Sequence, residues 1–279
     1  MQIDEIRKNV AIALAEDVGS GDLTAQLISN DANIAAQVIS REAAILCGIA
    51  WFEACFNQLS SDIAIHWLVK EGDILQPNQT LCKIEGNART ILTAERSALN
   101  FLQFLSAVAT QTHQYVKAVS GTNALIVDTR KTIPGLRYAE KYAVRCGGGA
   151  NHRIGLYDGI LIKENHIIAS GSIAQTLHKA RTIAPTETMI EIEVETLDEL
   201  HQALHAGATM ILLDNFELET LRNAVILNQQ YTQPAILEAS GNITLTNVRS
   251  IAETGIDRIS IGSLTKNIKA IDLSMRFLH

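Results

Sequence analysis

Between Arg130 and His166 lie Arg130, Lys131, Arg137, Lys141, Arg145, Arg153 and Lys163, seven of the chain's 23 Lys and Arg residues, where a share by length gives about three. Only Glu140, Asp158 and Glu164 offset them. The adjacent run Gly147-Gly148-Gly149 lets backbone come close to a ligand. Such a cluster suits a small substrate bearing several negative charges. Arg137, Lys141 and Arg145 recur every four residues and fit a solvated helix face equally well. Arg130, Lys131, Arg153 and Lys163 stand at or near the ends of expected strands, where barrel folds place their chemistry. The chain as a whole carries 30 Asp and Glu and a net charge of −7. That balance argues against a nucleic-acid or anionic-membrane binder, so any anion chemistry is local.

These residues need a scaffold, and 279 residues, 47% of them hydrophobic, suffice for one large or two medium domains with real cores. An amphipathic helix at 4–16, strands at 35–39 and 63–69 and a turn at Glu71-Gly72-Asp73 describe an α+β domain over residues 1–115. It ends in a long linking helix, 89–118, with Gly121 as a stop. Residues 116–279 then show six short apolar runs, at 124–127, 159–162, 189–194, 210–213, 235–237 and 258–261, each followed by a helix-like segment. Repeated βα units imply a parallel sheet. Polar residues cluster at the C-terminal ends of these runs: Asp128-Thr129-Arg130-Lys131, Lys163-Glu164-Asn165, Glu193, Asp214-Asn215, Ser240-Gly241-Asn242 and Gly262-Ser263. No GxGxxG follows the first run, which disfavours a doubly wound nucleotide fold and favours an incomplete barrel. Residues 97–116 lack charge but contain Asn100, Gln103, Gln111, His113 and Gln114, so they read as a buried helix and not a membrane span. The N-terminal segment has no basic-then-apolar export pattern, and Cys47, Cys55, Cys82 and Cys146 lack zinc-ligand spacing. A cytoplasmic location with free thiols is expected.

Several motifs together resemble the quinolinate phosphoribosyltransferase family over essentially the whole length. They are Glu16-Asp17-Val18-Gly19-Ser20-Gly21-Asp22-Leu23-Thr24, Glu95-Arg96-Ser97-Ala98-Leu99-Asn100, Asp128-Thr129-Arg130-Lys131-Thr132, EKYAVRCGGGANHRIGLYDGILIKEN from Glu140 to Asn165, Leu212-Leu213-Asp214-Asn215-Phe216 and Glu238-Ala239-Ser240-Gly241. The resemblance implies conversion of quinolinate and phosphoribosyl pyrophosphate to nicotinate mononucleotide, pyrophosphate and CO2, a step of NAD biosynthesis. It also implies an N-terminal α/β sandwich domain, an incomplete α/β barrel of about seven strands, and a homodimer or higher assembly. By the same resemblance Arg130, His152, Arg153 and Lys163 orient quinolinate, Lys131 binds the donor's phosphates, Thr129 and Thr132 join the substrate site, and Arg96 is contributed across the subunit interface. The rivals are a non-carboxylating enzyme acting on nicotinate and a catalytically silent anion-binding protein of the same fold.

The chemistry agrees with that assignment. Quinolinate has two carboxylates and the donor a phosphate and a diphosphate, so four anionic groups meet in one cleft. Arg grips a carboxylate through its planar fork, while Lys acts as a point charge that can follow departing diphosphate. A pyridine nitrogen has a free lone pair and needs no general base. Loss of diphosphate leaves an oxocarbenium-like centre that fixed negative charge steadies, a task suited to Glu193 and Asp214. These hard oxygen donors are also expected to hold Mg2+, directly or indirectly, with the donor. No organic cofactor is required. Ser240-Gly241-Asn242 and Ile261-Gly262-Ser263 are expected to turn backbone N–H groups toward the 5′-phosphate. Other signals read as structural. His201 and His205 form a surface helix pair, Cys146 is a packing thiol, and Glu16, Asp17 and Asp22 belong to a helix-ending turn. Ile133 and Lys266 depart from the family's usual Thr and His, and the second change bears on phosphate contact geometry.

Overall fold

Ile6, Val10 and Leu14 repeat at helical spacing and are all buried, and from them the first helix takes its inward face in a computed structural model that describes residues 3–278. The chain runs α1 (Ile3–Val18), β1 (Asn33–Ser40), β2 (Ala44–Ile45), α2 (Ile49–Leu59), β3 (Ala64–Trp67), β4 (Ile74–Leu75), β5 (Thr80–Asn87) and α3 (Ala88–Ala118). There follow β6 (Leu125–Val127), α4 (Arg137–Cys146), β7 (Gly159–Ile162), α5 (Glu164–Ser170), α6 (Ile173–Ile183), β8 (Met189–Val194), α7 (Leu197–His205) and β9 (Met210–Asp214). The last elements are α8 (Leu218–Gln229), β10 (Ile236–Ser240), α9 (Val248–Ala252), β11 (Arg258–Ser260), α10 (Ser263–Lys266) and β12 (Leu273–Phe277). No helix among the described residues is long and apolar enough to cross a membrane.

Two compact units are present. The first comprises the chain up to His113, Thr132–Gly148, and the chain from Leu264 on. Its antiparallel sheet has the order β12-β1-β5-β3. Ala36, Val38 and Ser40 alternate inward along β1, the period-two burial of a one-sided sheet. The strand at the chain's end pairs with β1, Val38 opposite Met275, a long-range pairing outside the contiguous 1–115 and 116–279 segments read from the sequence. Trp51, Phe52, Cys55 and Phe56 of α2 and Leu99, Leu102 and Leu105 of α3 are buried in this unit's core. Gly147, at the end of α4, meets α3 so closely that a Cβ there would lie 2.3 Å from Ala109 O. The glycine run therefore begins with a helix-contact residue, whereas the sequence pointed to ligand approach.

The second unit holds Gln114–Lys131 and Gly149–Ser263. Its six strands are all parallel, in the order β6-β11-β10-β9-β8-β7. Where about seven strands were expected, the seventh shrinks to one bridge, Val127 to Ala150, closed by Ala150 N donating to Ile126 O at 2.9 Å and Asp128 N to Ala150 O at 3.2 Å. Glycines at 147–149 leave that segment without side chains to build a longer strand. Apolar residues such as Ile192, Val194, Ile211 and Leu213 form the buried layer, and Glu191 and Glu193 on β8, Asp214 on β9, Glu238 and Ser240 on β10 and Arg258 and Ser260 on β11 take alternate positions. Helices α7 and α8 carry buried Leu200, Leu204 and Leu221.

Candidate active site

At the strand tips of the second unit a cavity of about 320 Å³ opens, lined by Thr129, Arg130, Lys131, His152, Arg153, Leu161, Lys163, Glu193, Leu212, Glu238, Ser240 and Ser260. Its first anchor is Asp128, wholly buried just past β6, whose carboxylate accepts from His152 N at 2.9 Å and Asn151 Nδ2 at 2.6 Å. That staple brings the 129–131 turn beside the 151–153 segment. Within the turn Thr129 Oγ1 accepts from Lys131 N at 3.0 Å. A Cβ at Gly262 would lie 2.9 Å from Lys131 Cδ, so that glycine makes room for the lysine stem. The Arg153 guanidinium donates to Gly159 O at 2.8 Å. Burial, and then the Arg130 charge, draw its pKa down, the signature of two cations held together.

Opposite the cations, Lys163 Nζ sits 2.5 Å from Glu193 Oε2. Lys163 follows β7 and its backbone N–H donates to His166 Nδ1 at 2.9 Å, so the His166 ring holds the strand end. Glu193 belongs to β8, and Asp214 closes β9. Oxygens of Glu193, Glu195 and Asp214 lie within 4.8 Å of one another. Loss of hydration, and then the neighbouring carboxylates Glu164, Asp214, Glu199 and Glu193, raise the Glu195 pKa. Asp214 also accepts from Asn215 Nδ2 at 2.8 Å. A Cβ on Gly241 would fall 2.1 Å from Asn215 Oδ1, which locks the loops after β9 and β10 against each other.

The expected residues divide accordingly. Thr129, Arg130, Lys131, His152, Arg153, Lys163, Glu193 and Ser240 line one cavity. Gly241 and Asn242 continue from Ser240, with Asn242 at φ 49°. Ile261 does not present its N–H to the cavity as expected: its side chain is buried and its N–H donates to Val127 O at 3.0 Å, because the sheet extends one residue past β11. Ser263 Oγ is buried with no hydrogen-bond partner. Thr132 Oγ1 accepts from Arg137 Nε at 3.0 Å in the first unit. Arg96 is exposed on α3, also in the first unit. His152 lines the same cavity. Nδ1 accepts from Arg153 N at 2.8 Å and Nε2 meets Glu191 Oε2 at 2.7 Å, so both ring nitrogens are engaged by the chain.

Lys141, one of the three cations spaced four apart, is buried in α4, and Arg145 lies 5.9 Å over the Tyr142 ring. Hydrogen bonds from Cys47, foremost, and Tyr142 lower the Cys146 pKa in the first unit's interior. Asp22 accepts from Ala25 N and Thr93 Oγ1 in the expected turn, and His201 stacks on His205 at an exposed face of α7. Ile133 is exposed with its N–H donated to Glu140, and Lys266 is exposed. Sequence reasoning missed Glu191 and Arg258 entirely and assigned no role to Glu238. A signal existed for the first: Glu191, Glu193 and Glu195 recur at period two along β8 and just past it.

The family model "Quinolinate phosphoribosyl transferase, N-terminal domain" matches residues 22–106, and the C-terminal domain model matches residues 108–276. The probable carboxylating nicotinate-nucleotide pyrophosphorylase of Bacillus subtilis is 40% identical over 97% of this chain and 93% of its own length. The Mycobacterium leprae carboxylating nicotinate-nucleotide pyrophosphorylase is 37% identical over 98% of both chains. Among solved structures, the nicotinate-nucleotide pyrophosphorylase from Francisella tularensis superposes with a TM-score of 0.96 at 46% identity, covering 100% of this chain and 98% of that one.

Proposed function

This chain belongs to the quinolinate phosphoribosyltransferase family, and we propose that it transfers a phosphoribosyl group from phosphoribosyl pyrophosphate to quinolinate, releasing pyrophosphate and CO2 to form nicotinate mononucleotide for NAD synthesis. The observation that carries this reading is one cavity with Arg130, Lys131, Arg153 and Lys163 on its walls and Glu193 set against Lys163. Two arginines suit the two ring carboxylates. Lys131, over Gly262, and the loops at Gly241-Asn242 and Gly262-Ser263 suit the donor's phosphates, and the partnerless Ser263 hydroxyl offers one more group. Glu193 and Asp214 place negative charge where the sugar carbon becomes cationic. After the ring nitrogen is alkylated, the pyridinium itself stabilises the carbanion left by CO2. The protein's part is positioning and preorganised charge.

Glu193, Glu195 and Asp214 fit a Mg2+ ion accompanying the donor, since three hard carboxylate ligands converge within 4.8 Å. Bound there, the ion would offset charge on the leaving diphosphate. We read His152 as a positioning residue, its ring filled on both sides by Arg153 N and Glu191. We read the protein as cytoplasmic, with four unpaired thiols, and as a dimer in which Arg96 of one copy completes the site of the other.

Incubation with phosphoribosyl pyrophosphate, Mg2+ and either quinolinate or nicotinate tests the reaction. Quinolinate should yield nucleotide and CO2 in equal amounts. Turnover of nicotinate instead would select the non-carboxylating enzyme, and anion binding without turnover of either would select the silent binder. The subunit assignment predicts that an Arg96→Ala chain mixed with a Lys163→Ala chain regains part of the activity through hybrid dimers carrying one intact site. Verified hybrids that stay inactive would remove Arg96 from the partner's site.

A further inference from the structure

At the base of the cavity lies a buried ionisable cluster in which the proposed reaction gives Glu191, Glu238 and Arg258 no task. Glu191 on β8 and Glu238 on β10 are wholly buried, with His152 and Arg258 facing them, and Leu212 of β9, opposite Glu238 in the sheet, brings no charge. His152 Nε2 lies 2.7 Å from Glu191 Oε2 and 3.8 Å from Glu238 Oε1. Arg258 Nε lies 2.9 Å from Glu238 Oε2, but its N–H is not aimed at the oxygen, so neither Glu238 oxygen has a hydrogen-bond partner. His152 Nδ1 accepts the Arg153 N–H, which leaves Nε2 to donate toward Glu191. Arg258 faces Glu238, and loss of the Glu238 proton adds one negative charge to the base of the cavity.

We propose that Glu238 works as a neutral acid under the anion cavity, and that its protonation state sets how tightly the cavity holds a ring dicarboxylate. The inference rests on the substrate class read above. Burial first, and the Glu191 charge second, push the Glu238 pKa up to about 7, against the opposing pull of His152, Arg258 and the Ser260 hydroxyl. Two carboxylates sharing one dry pocket resist ionising together. Below that pH Glu238 is protonated and carries no charge. Above it a negative charge in low dielectric opposes the two substrate carboxylates, so affinity is greatest on the acid side and falls as pH rises.

Calorimetric titration of the full chain with quinolinate alone, from pH 6 to pH 8, reads this directly. Binding should weaken about tenfold across that interval, with uptake of about one proton per quinolinate at pH 8 and almost none at pH 6, as heats in buffers of different ionisation enthalpy reveal. E238Q, an uncharged side chain of the same shape, should lose both effects. Proton uptake by the natural chain needs no variant, so a poorly folding E238Q leaves a decisive measurement. Affinity that changes less than twofold with normal turnover overturns the Glu238 inference and spares the assigned reaction. Uptake retained in E238Q also overturns it and points to His152. Quinolinate that binds at no pH removes the substrate reading, and this inference with it.

Discussion

Lys163→Ala should lower kcat/KM for quinolinate by about 10²–10³-fold, the usual cost of deleting one preorganised electrostatic contact, while folding stability moves by less than about 1 kcal/mol. The two halves of the expectation have different origins. Half of the Lys163 side chain is exposed, so its 2.5 Å pairing with Glu193 is screened by water and contributes little to folding. Glu193 is only 15% exposed and lines the cavity, so without Lys163 its charge is left bare where substrate carboxylates must enter. Repulsion replaces attraction at the same spot. Steady-state kinetics beside a urea transition would separate the effects. A loss of fivefold or less would mean that Lys163 points elsewhere during turnover. Removing both partners, Lys163→Ala with Glu193→Gln, should cost less than the sum of the two single changes, because the bare charge goes with them.

Gly147→Ala should have the opposite profile: a loss of about 3 kcal/mol or more in stability, with catalysis per folded molecule nearly retained. Gly147 has φ −76°, which alanine adopts freely, so conformational strain is not the cause. Space is. The added carbon would meet Ala109 O at 2.3 Å and Thr112 Cβ at 2.7 Å. The first is backbone in the middle of α3 and cannot swing aside as a side chain can. The ends of α4 and the wall of α3 must part, and the buried Ala139, Ala143 and Val144 contacts of α4 loosen with them. Urea midpoints of the natural and substituted chains measure this. A difference under 1 kcal/mol would show that the helices separate at little cost.

Much of the second unit was legible because its signal is local. The runs at 159–162 and 189–194 coincide with β7 and β8, and those at 124–127, 210–213 and 258–261 come within one residue at their ends. The run at 235–237 extends to Ser240, since small polar residues at a strand tip lack an apolar signature yet still hydrogen-bond into the ladder. Residue type also marked the cations, because a cluster of like charge in an acidic chain is visible without coordinates.

By itself, the sequence determined the order of strands and helices in the second unit, the family, and which residues stand at the strand tips, since each depends on neighbours a few positions away or on a long specific motif. Tertiary structure alone decided three further points. β12 joins β1 across most of the chain's length, Gly147 serves a helix contact, and His152 turns both nitrogens inward to Arg153 N and Glu191. Pairing partners, interhelical gaps and side-chain direction arise from closing the chain on itself, and no local pattern encodes them. The buried acid pair under the cavity belongs to the same group: Glu191 and Glu238 sit 47 positions apart in the sequence and share a pocket only because β9 lies between their strands.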